Sequence, residues 1–175
     1  ERDYCVQYQE SDLDFISRLW EEEGIFYFFE HEKDKDTLVL GDGKHAFPTL
    51  PVYAEAQLRD IPHLHEECLF EFRAESVLRP GATVLRDFKF KQPTLDLEAS
   101  AQASQFTEYK MYFFPGEYVD PTIGNQYAKL RLEELQCLKN RYVGAGSVRA
   151  MLPGYKFSLC GHRREDCNQE FLIVS

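Results

Sequence analysis

The residues with the clearest metal-binding chemistry lie together at positions 63 to 67. His63 and His65 would share one face of a strand, and Glu66 and Glu67 follow directly. Two histidines do not complete a site, and no second group with ligand spacing lies near them in the sequence. We therefore interpret the group as a solvated strand edge. A small metal-dependent hydrolase that uses these residues is the enzymatic alternative.

A second possible ligand set comprises Cys160, His162 and Cys167. Thiolate and imidazole groups are the usual ligands of structural zinc, but this spacing is not that of a tight zinc knuckle. The segment has the pattern of a turn between two strands. We predict a hairpin turn there, without a metal ion.

Three further patterns could suggest catalysis, and each has a structural interpretation. Glu21–Glu23 could form a carboxylate pair, but they end a predicted surface helix, where charged runs face water. The glycine segments 41–43 and 144–146 lack the Lys-Ser/Thr ending of a phosphate loop and are predicted to be turns. Neither Ser147 nor Ser158 lies in a Gly-x-Ser-x-Gly pattern. We predict no catalytic, cofactor-binding or metal-binding residue, and no enzymatic activity.

The rest of the chain is expected to be organised around a helix and hairpin that the sequence predicts over residues 11–42. Ser11 is placed to cap the helix together with Asp14, and Gly24 to end it. One apolar stripe should be the buried face of this helix, at Leu13, Phe15, Ile16, Leu19 and Trp20. The aromatic run Phe26–Phe29 predicts a strand that pairs with residues 37–40. We interpret its rings mainly as core, with the alternate ring face as the candidate for subunit contact.

The remaining sequence predicts strands and one further helix. The helix is expected over residues 123–141, because apolar residues recur there at near-helical spacing. Strands are expected at residues 68–75, 83–91, 106–114, 147–152, 155–160 and 171–174. Pro80-Gly81 suggests an internal boundary. The predicted fold class is α+β, mainly antiparallel β with two principal helices, in lobes 1–79 and 80–175.

Composition excludes several classes of function. The formal net charge of −10 argues against a nucleic-acid partner, since phosphate binding needs clustered lysine and arginine. The five cysteines are odd in number and scattered, which fits a reducing compartment and mostly buried, unpaired thiols. No apolar run approaches the roughly 20 residues that a membrane helix needs.

Several ordered blocks of sequence carry a family resemblance. They are YCVQYQESDLDFISRLWEEEGIFYFFEH with LVLGD after it, LRPGATVLRDFKFKQP, FPGEY, RLEEL, and LPGYKFSLCGH before NQEFLIV. In this order they resemble the VgrG family of type VI secretion tip proteins and the related late control protein D family of contractile phages. The resemblance covers nearly the whole chain. It implies that the chain is an internal fragment of a larger protein, whose other parts carry the spike.

The resemblance also implies a fold and a set of partners. The fold would contain barrel-like phage-tail-hub domains, assembled as a homotrimer in the full-length protein. The partners would be the tube protein ring, baseplate components, spike-tip proteins and effectors, with the target membrane contacted only by the missing spike. Assembly would take place in the bacterial cytoplasm, followed by ejection to the extracellular space or a target cell. A hub protein of a contractile phage or prophage tail is the alternative.

Overall fold

The computed structural model describes residues 4–60 and 66–175 of the chain. Within these residues the backbone forms helices α1 (Asp12–Glu22) and α2 (Pro121–Cys137). The strands are β1 (Phe26–His31), β2 (Asp36–Gly41), β3 (Glu55–Gln57), β4 (Leu69–Ser76), β5 (Ala82–Arg86), β6 (Glu98–Gln102), β7 (Lys110–Phe113), β8 (Asn140–Gly146), β9 (Lys156–Cys160) and β10 (Glu170–Leu172). This content confirms the α+β class.

Both ends of helix α1 follow the prediction from sequence. The Ser11 hydroxyl accepts a hydrogen bond from the Asp14 backbone N–H at 3.2 Å and donates one to the Asp14 carboxylate at 2.7 Å. Gly24 follows the helix with φ of 72°, a left-handed conformation that side chains rarely adopt. A Cβ atom at Gly24 would also collide with the Leu130 side chain, so this glycine serves the packing of α2 as well as the turn.

The prediction that the apolar stripe of α1 is buried is wrong. No residue of α1 is buried, and the exposed fractions of Leu13 and Ile16 are 58% and 39%. Phe15, Leu19 and Trp20 are half-buried. Spacing determines which face of a helix is apolar, but burial needs an opposing surface. The described part of the chain covers this face only partly.

The chain divides into two compact units, each assembled from two segments. The first unit comprises the chain up to Gly24 together with Ser76–Asn140, and the second comprises Ile25–Glu75 and Arg141–Ser175. Helix α1 therefore belongs to the first unit and the β1–β2 hairpin to the second. This division differs from the predicted lobes 1–79 and 80–175. Sequence order suggested lobes of contiguous chain, whereas strand pairing joins distant segments.

The first unit is a three-stranded sheet with α2 on one face. Strand β5 lies in the centre, antiparallel to β6 and parallel to β7. The buried Thr83 hydroxyl donates a hydrogen bond to the Ala128 carbonyl at 2.8 Å, which ties the sheet to the helix. A Cβ atom at Gly124 would overlap the Tyr118 ring. The small residues Gly124 and Ala128, four positions apart, therefore let α2 pack closely against the sheet and Tyr118. Its core comprises Leu85, Leu97, Ala99, Tyr118 and Ala128.

The second unit holds the β1–β2 hairpin, the paired strands β4 and β8, and the sheet β10-β9-β3. Strand β9 pairs antiparallel with β10 and parallel with β3. Its buried cluster comprises Leu50, Ala56, Leu69, Phe157, Leu159 and Cys167. The Phe171 ring packs at a tilt against those of Tyr142 and Phe72, at centroid distances of 4.6 and 5.1 Å.

Several predictions about strands need correction. Each three-stranded sheet contains one parallel pair, and the strands described form small open sheets with no closed barrel among them. The strand predicted over residues 83–91 ends at Arg86, because the chain turns after β5. No strand covers residues 147–152, because the ladder to β4 is formed by β8 instead. Residues 144–146, predicted to be the turn after the helix, lie in β8. Among the described residues, no helix has the length and apolar character required to cross a bilayer.

Candidate interaction surface

The β1–β2 hairpin packs an apolar inner face against the rest of the second unit, to which it belongs. Side chains alternate along a strand, so Phe26 and Phe28 share this face. The Phe26 ring stacks on Phe47 with centroids 4.2 Å apart, and the buried Phe28 ring meets Tyr155 edge-on at 6.1 Å. Gly154 has φ of 87°, and a Cβ atom there would overlap Phe28. The prediction that this aromatic run contributes to the core is therefore confirmed for one face.

The outer face of the same hairpin is apolar and exposed. Tyr27 lies opposite Leu40, and Phe29 lies opposite Leu38, so these four side chains share one face. Their exposed fractions range from 37% at Tyr27 to 48% at Leu40. The Tyr27 and Phe29 rings meet edge-on at 6.1 Å. An apolar face of this kind is typical of a surface that binds another protein.

Beside β1 lies an open apolar groove with a volume of about 380 Å³, which we call the hairpin groove. One wall is the aromatic strand β1 with Phe47. The opposite wall comes from distant parts of the chain, at residues 152–154 and 172–174. The backbone N–H of Gly154 donates to the Ile173 carbonyl at 2.9 Å, which holds the segments of this wall together.

The hairpin that forms the aromatic wall of the groove carries two acidic side chains, Glu30 in β1 and Asp36 in β2. Burial raises the pKa of the Tyr155 hydroxyl, and the nearby Glu30 carboxylate raises it further. Glu30 forms no ion pair within 4 Å in the described part of the chain. At the end of the hairpin, His31 Nδ1 and Asp36 Oδ1 lie 2.6 Å apart, both largely exposed. Apolar walls with acidic groups beside them suit a partner that carries apolar and basic side chains.

The first group of possible metal ligands, at residues 63–67, is only partly within the described structure. His63 and His65 lie outside the described residues. The Glu66 carboxylate pairs with Arg59 at 2.9 Å. The Glu67 carboxylate accepts a hydrogen bond from the Arg149 backbone N–H at 3.2 Å. Both carboxylates therefore have structural partners.

The second set of possible ligands, Cys160, His162 and Cys167, lies around a turn that hydrogen bonds stabilise. The His162 backbone N–H donates to the Asn168 side chain at 2.9 Å, and the Asn168 amide donates back to the His162 carbonyl at 3.0 Å. Cys167 is buried in the apolar core and Cys160 is half-buried. Over residues 4–60 and 66–175, no group of three His, Cys, Asp or Glu side chains could hold a metal ion.

The other sequence candidates have structural positions. Glu22 pairs with Arg18 at 3.7 Å on α1, and Glu23 lies 3.5 Å from the Tyr127 hydroxyl. The Ser147 hydroxyl accepts a hydrogen bond from the Cys68 backbone N–H at 3.1 Å, beside the β4–β8 ladder. Ser158 lies within β9.

The expectation that the cysteines are mostly buried is only partly correct. All five are free thiols, but only Cys68 and Cys167 are buried, while Cys5 and Cys137 are exposed.

Sequence reasoning found one wall of the hairpin groove and missed the other. The aromatic run of β1 indicated both a core face and a contact face. Residues 152–154 and 172–174 follow more than 110 positions later in the printed sequence. Their pattern indicated only turns and a strand, so the sequence carried no signal that they lie beside β1.

An α+β fold with an exposed apolar groove and an apolar outer hairpin face is typical of a protein that works by assembly. Comparison with known proteins specifies the family. Residues 1–175 match the phage tail baseplate hub (GPD) family, and the chain belongs to it.

Relatives with similar sequences include spike proteins from Pseudomonas aeruginosa. The type VI secretion system spike protein VgrG1a is 37% identical over 99% of this chain, and VgrG1b is 36% identical over 99%. This chain spans 28% and 24% of their respective lengths, about a quarter. The actin cross-linking toxin VgrG1 of Vibrio cholerae is 30% identical, and the whole chain covers only 16% of it.

A solved structure shows the same fold. It is the E. coli c3393 protein, described as a type VI secretion system component with structural similarity to the T4 bacteriophage tail proteins gp27 and gp5. The TM-score is 0.56 at 16% identity, and the match covers 95% of this chain and 32% of that one.

Proposed function

We propose that this chain is the baseplate hub region of a type VI secretion tip protein and that its role is structural. The observation that carries the proposal is the match to spike proteins along 99% of the chain, in a family of tail baseplate hubs. The exposed apolar hairpin supports a role in assembly. The chain acts without catalysis, and any enzymatic activity belongs to other parts of a parent protein.

The assembly that we propose is a homotrimer within the full-length protein. Three copies form an adaptor between the hexameric tube and the three-fold spike. The small open sheets leave strand edges that pair with or are covered by neighbouring chain, because exposed edges otherwise promote aggregation. A barrel-like hub domain is completed in this way.

The partners follow from the same position in the apparatus. The tube protein ring and baseplate components contact the hub, and spike-tip proteins and effectors travel with it. The protein is assembled in the bacterial cytoplasm and then ejected by the type VI apparatus. A target membrane is contacted only by the spike, which lies outside this chain. The net charge of −10 disfavours nucleic acid as a partner.

A hub protein of a contractile phage or prophage tail is the second candidate function. The family itself is named for phage tails, which favours this alternative over others. Genes that neighbour the parent gene distinguish the two, since secretion and phage clusters encode different partners. The metal-dependent hydrolase gains no support, because Glu66 and Glu67 have structural partners and the relatives are spike proteins.

The proposed function is tested on the full-length protein. Light scattering on a size-exclusion column should give the mass of three chains, and the tube protein should co-purify with it. A stable monomer that does not bind tube protein would refute the hub function. Stoichiometric bound metal in elemental analysis would instead revive the hydrolase.

A further inference from the structure

The loop after β5 carries phenylalanines that are exposed to an unusual degree. We call residues 88–91 the FKFK loop. The exposed fraction is 86% for Phe90 and 58% for Phe88. Aromatic side chains, phenylalanine among them, are enriched in protein interfaces relative to the rest of the surface.

The FKFK loop is held by hydrogen bonds rather than left free. Both oxygens of the Asp87 carboxylate accept backbone N–H groups at 2.6 Å, one from Phe88 and the other from Glu117. The Gln92 backbone N–H donates to the Lys89 carbonyl at 2.9 Å and closes the turn. A loop held in this way loses little conformational entropy when it binds a partner.

The charge of the FKFK loop is positive, opposite in sign to the net charge of the whole chain. Lys89 and Lys91 flank Phe90, and neither forms an ion pair with a described residue. The chain as a whole has a net charge of −10. The hairpin groove has the complementary character, because its walls are apolar and aromatic, and Glu30 and Asp36 belong to the hairpin that forms one of those walls.

We propose that the FKFK loop of one copy of this chain docks into the hairpin groove of a second copy. Phe88 and Phe90 enter the groove, while Lys89 and Lys91 lie beside Glu30 and Asp36. The donor and acceptor surfaces differ, so the contact is heterologous, and such contacts form a ring when the rotation between neighbouring copies closes. This inference rests on the proposed hub function, since it names the contact through which copies associate.

Self-association of the chain tests the contact directly. Sedimentation equilibrium over roughly 1 µM to 1 mM should show reversible assembly of the wild-type chain. The double variant Phe88→Ser, Phe90→Ser should weaken assembly by at least about tenfold, because aromatic anchors dominate binding energy. Tyr112→Ser is the matched control. Tyr112 has the same exposed fraction as Phe88, 58%, lies outside the loop, and should leave assembly unchanged.

A charge exchange distinguishes specific docking from nonspecific hydrophobic association. Lys91→Glu and Glu30→Lys should each weaken assembly several-fold, because each places like charges together. The variant that carries both substitutions should recover wild-type assembly. Circular dichroism of every variant checks that the fold is retained.

Two results would overturn the inference. One is a wild-type chain that stays monomeric throughout the concentration range. The other is assembly that the phenylalanine substitutions leave unchanged. Either result leaves the hub function standing if the full-length protein is a trimer that binds tube protein, so the two failures are distinguishable.

Discussion

The buried Tyr118 hydroxyl donates a hydrogen bond inside the first unit, and burial affects its pKa. The Tyr118 side chain is 4% exposed. Its hydroxyl lies within hydrogen-bond distance of the Leu85 carbonyl in β5 and of the Leu97 carbonyl, which directly precedes β6. Burial raises the pKa of this phenol, and the Asp87 carboxylate raises it further. The neutral phenol is therefore the form that stabilises the fold.

Tyr118→Phe should lower the free energy of unfolding by about 2 kcal/mol, because the carbonyls of Leu85 and Leu97 lose the one buried O–H donor that they share. Urea denaturation at pH 7 measures the loss. The stability that the raised pKa contributes is present below about pH 10 and lost above it, so the difference between wild type and variant should shrink there. Tyr112→Phe is the control, because this ring is exposed in the same sheet. An equal loss in the control would contradict the assignment.

Gly81 lies close against the main chain of Gln105 and Phe106. A Cβ atom there would lie inside the van der Waals contact distance of the Gln105 and Phe106 carbonyl oxygens, which belong to the main chain and cannot rotate away. Its own N–H donates to the Phe106 and Tyr109 carbonyls at 3.0 Å. The adjoining strand β5 is therefore sensitive to a single added methyl group.

Gly81→Ala should destabilise the fold by about 3 kcal/mol, measured by thermal or urea unfolding. Gly43→Ala is the matched control. A Cβ atom at Gly43 meets only the exposed His45 ring, which can move, so its effect should stay below about 1 kcal/mol. A tolerated alanine at position 81 would show that the neighbouring turn relaxes.

At the scale of elements, helix α2 begins with a charged cap. The Asp120 carboxylate accepts the Thr122 backbone N–H at 2.7 Å. That hydrogen bond lowers the pKa of Asp120, and the positive charge of Lys89 lowers it further. The ionised carboxylate thus stabilises the start of the helix on which the first unit packs.

Asp120→Asn keeps a capping oxygen but removes the charge, so it isolates the electrostatic part of the cap. The wild-type advantage in unfolding free energy should be complete above the unfolded-state pKa of about 4 and should vanish as the pH falls further. Urea titrations between pH 7 and pH 3 measure this. A difference that does not vary with pH would mean that the carboxylate charge contributes nothing.

At the scale of the whole molecule, each compact unit is built from two separated segments. The chain passes between the units after Gly24, after Glu75 and after Asn140. In the second unit, β3 pairs with β9 roughly 100 positions later, and Ala56 lies opposite Leu159. Folding of this unit therefore depends on two segments, Ile25–Glu75 and Arg141–Ser175, that the first unit separates in the sequence.

Separate fragments 1–79 and 80–175 should not fold independently. The first lacks β8 and β9, the partners of β4 and β3, and so exposes the core around Leu50 and Leu69. Circular dichroism and denaturant titration should show no cooperative transition for fragment 1–79. Fragment 76–140 is the comparison, since it keeps β5, β6, β7 and α2, and should retain more structure. Cooperative unfolding of fragment 1–79 would establish the contiguous lobe instead.

What the sequence determined by itself is largely local. Ser11, Asp14 and Gly24 specify the ends of α1 through hydrogen bonds and backbone conformation within a few residues. The hairpin follows from two β-prone runs joined by a short charged turn. The ordered blocks of sequence also indicated the family, because many positions match in the same order.

Only the tertiary structure decided which apolar faces are covered and which segments meet. The stripe of α1 and the outer face of the hairpin have the spacing of core residues, yet the first is only partly covered and the second is exposed. The division into units, the parallel pairs and the second wall of the hairpin groove all join positions far apart in the chain. Spacing along a chain reports which side chains share a face. Whether that face is buried depends on surfaces that long-range folding brings to it.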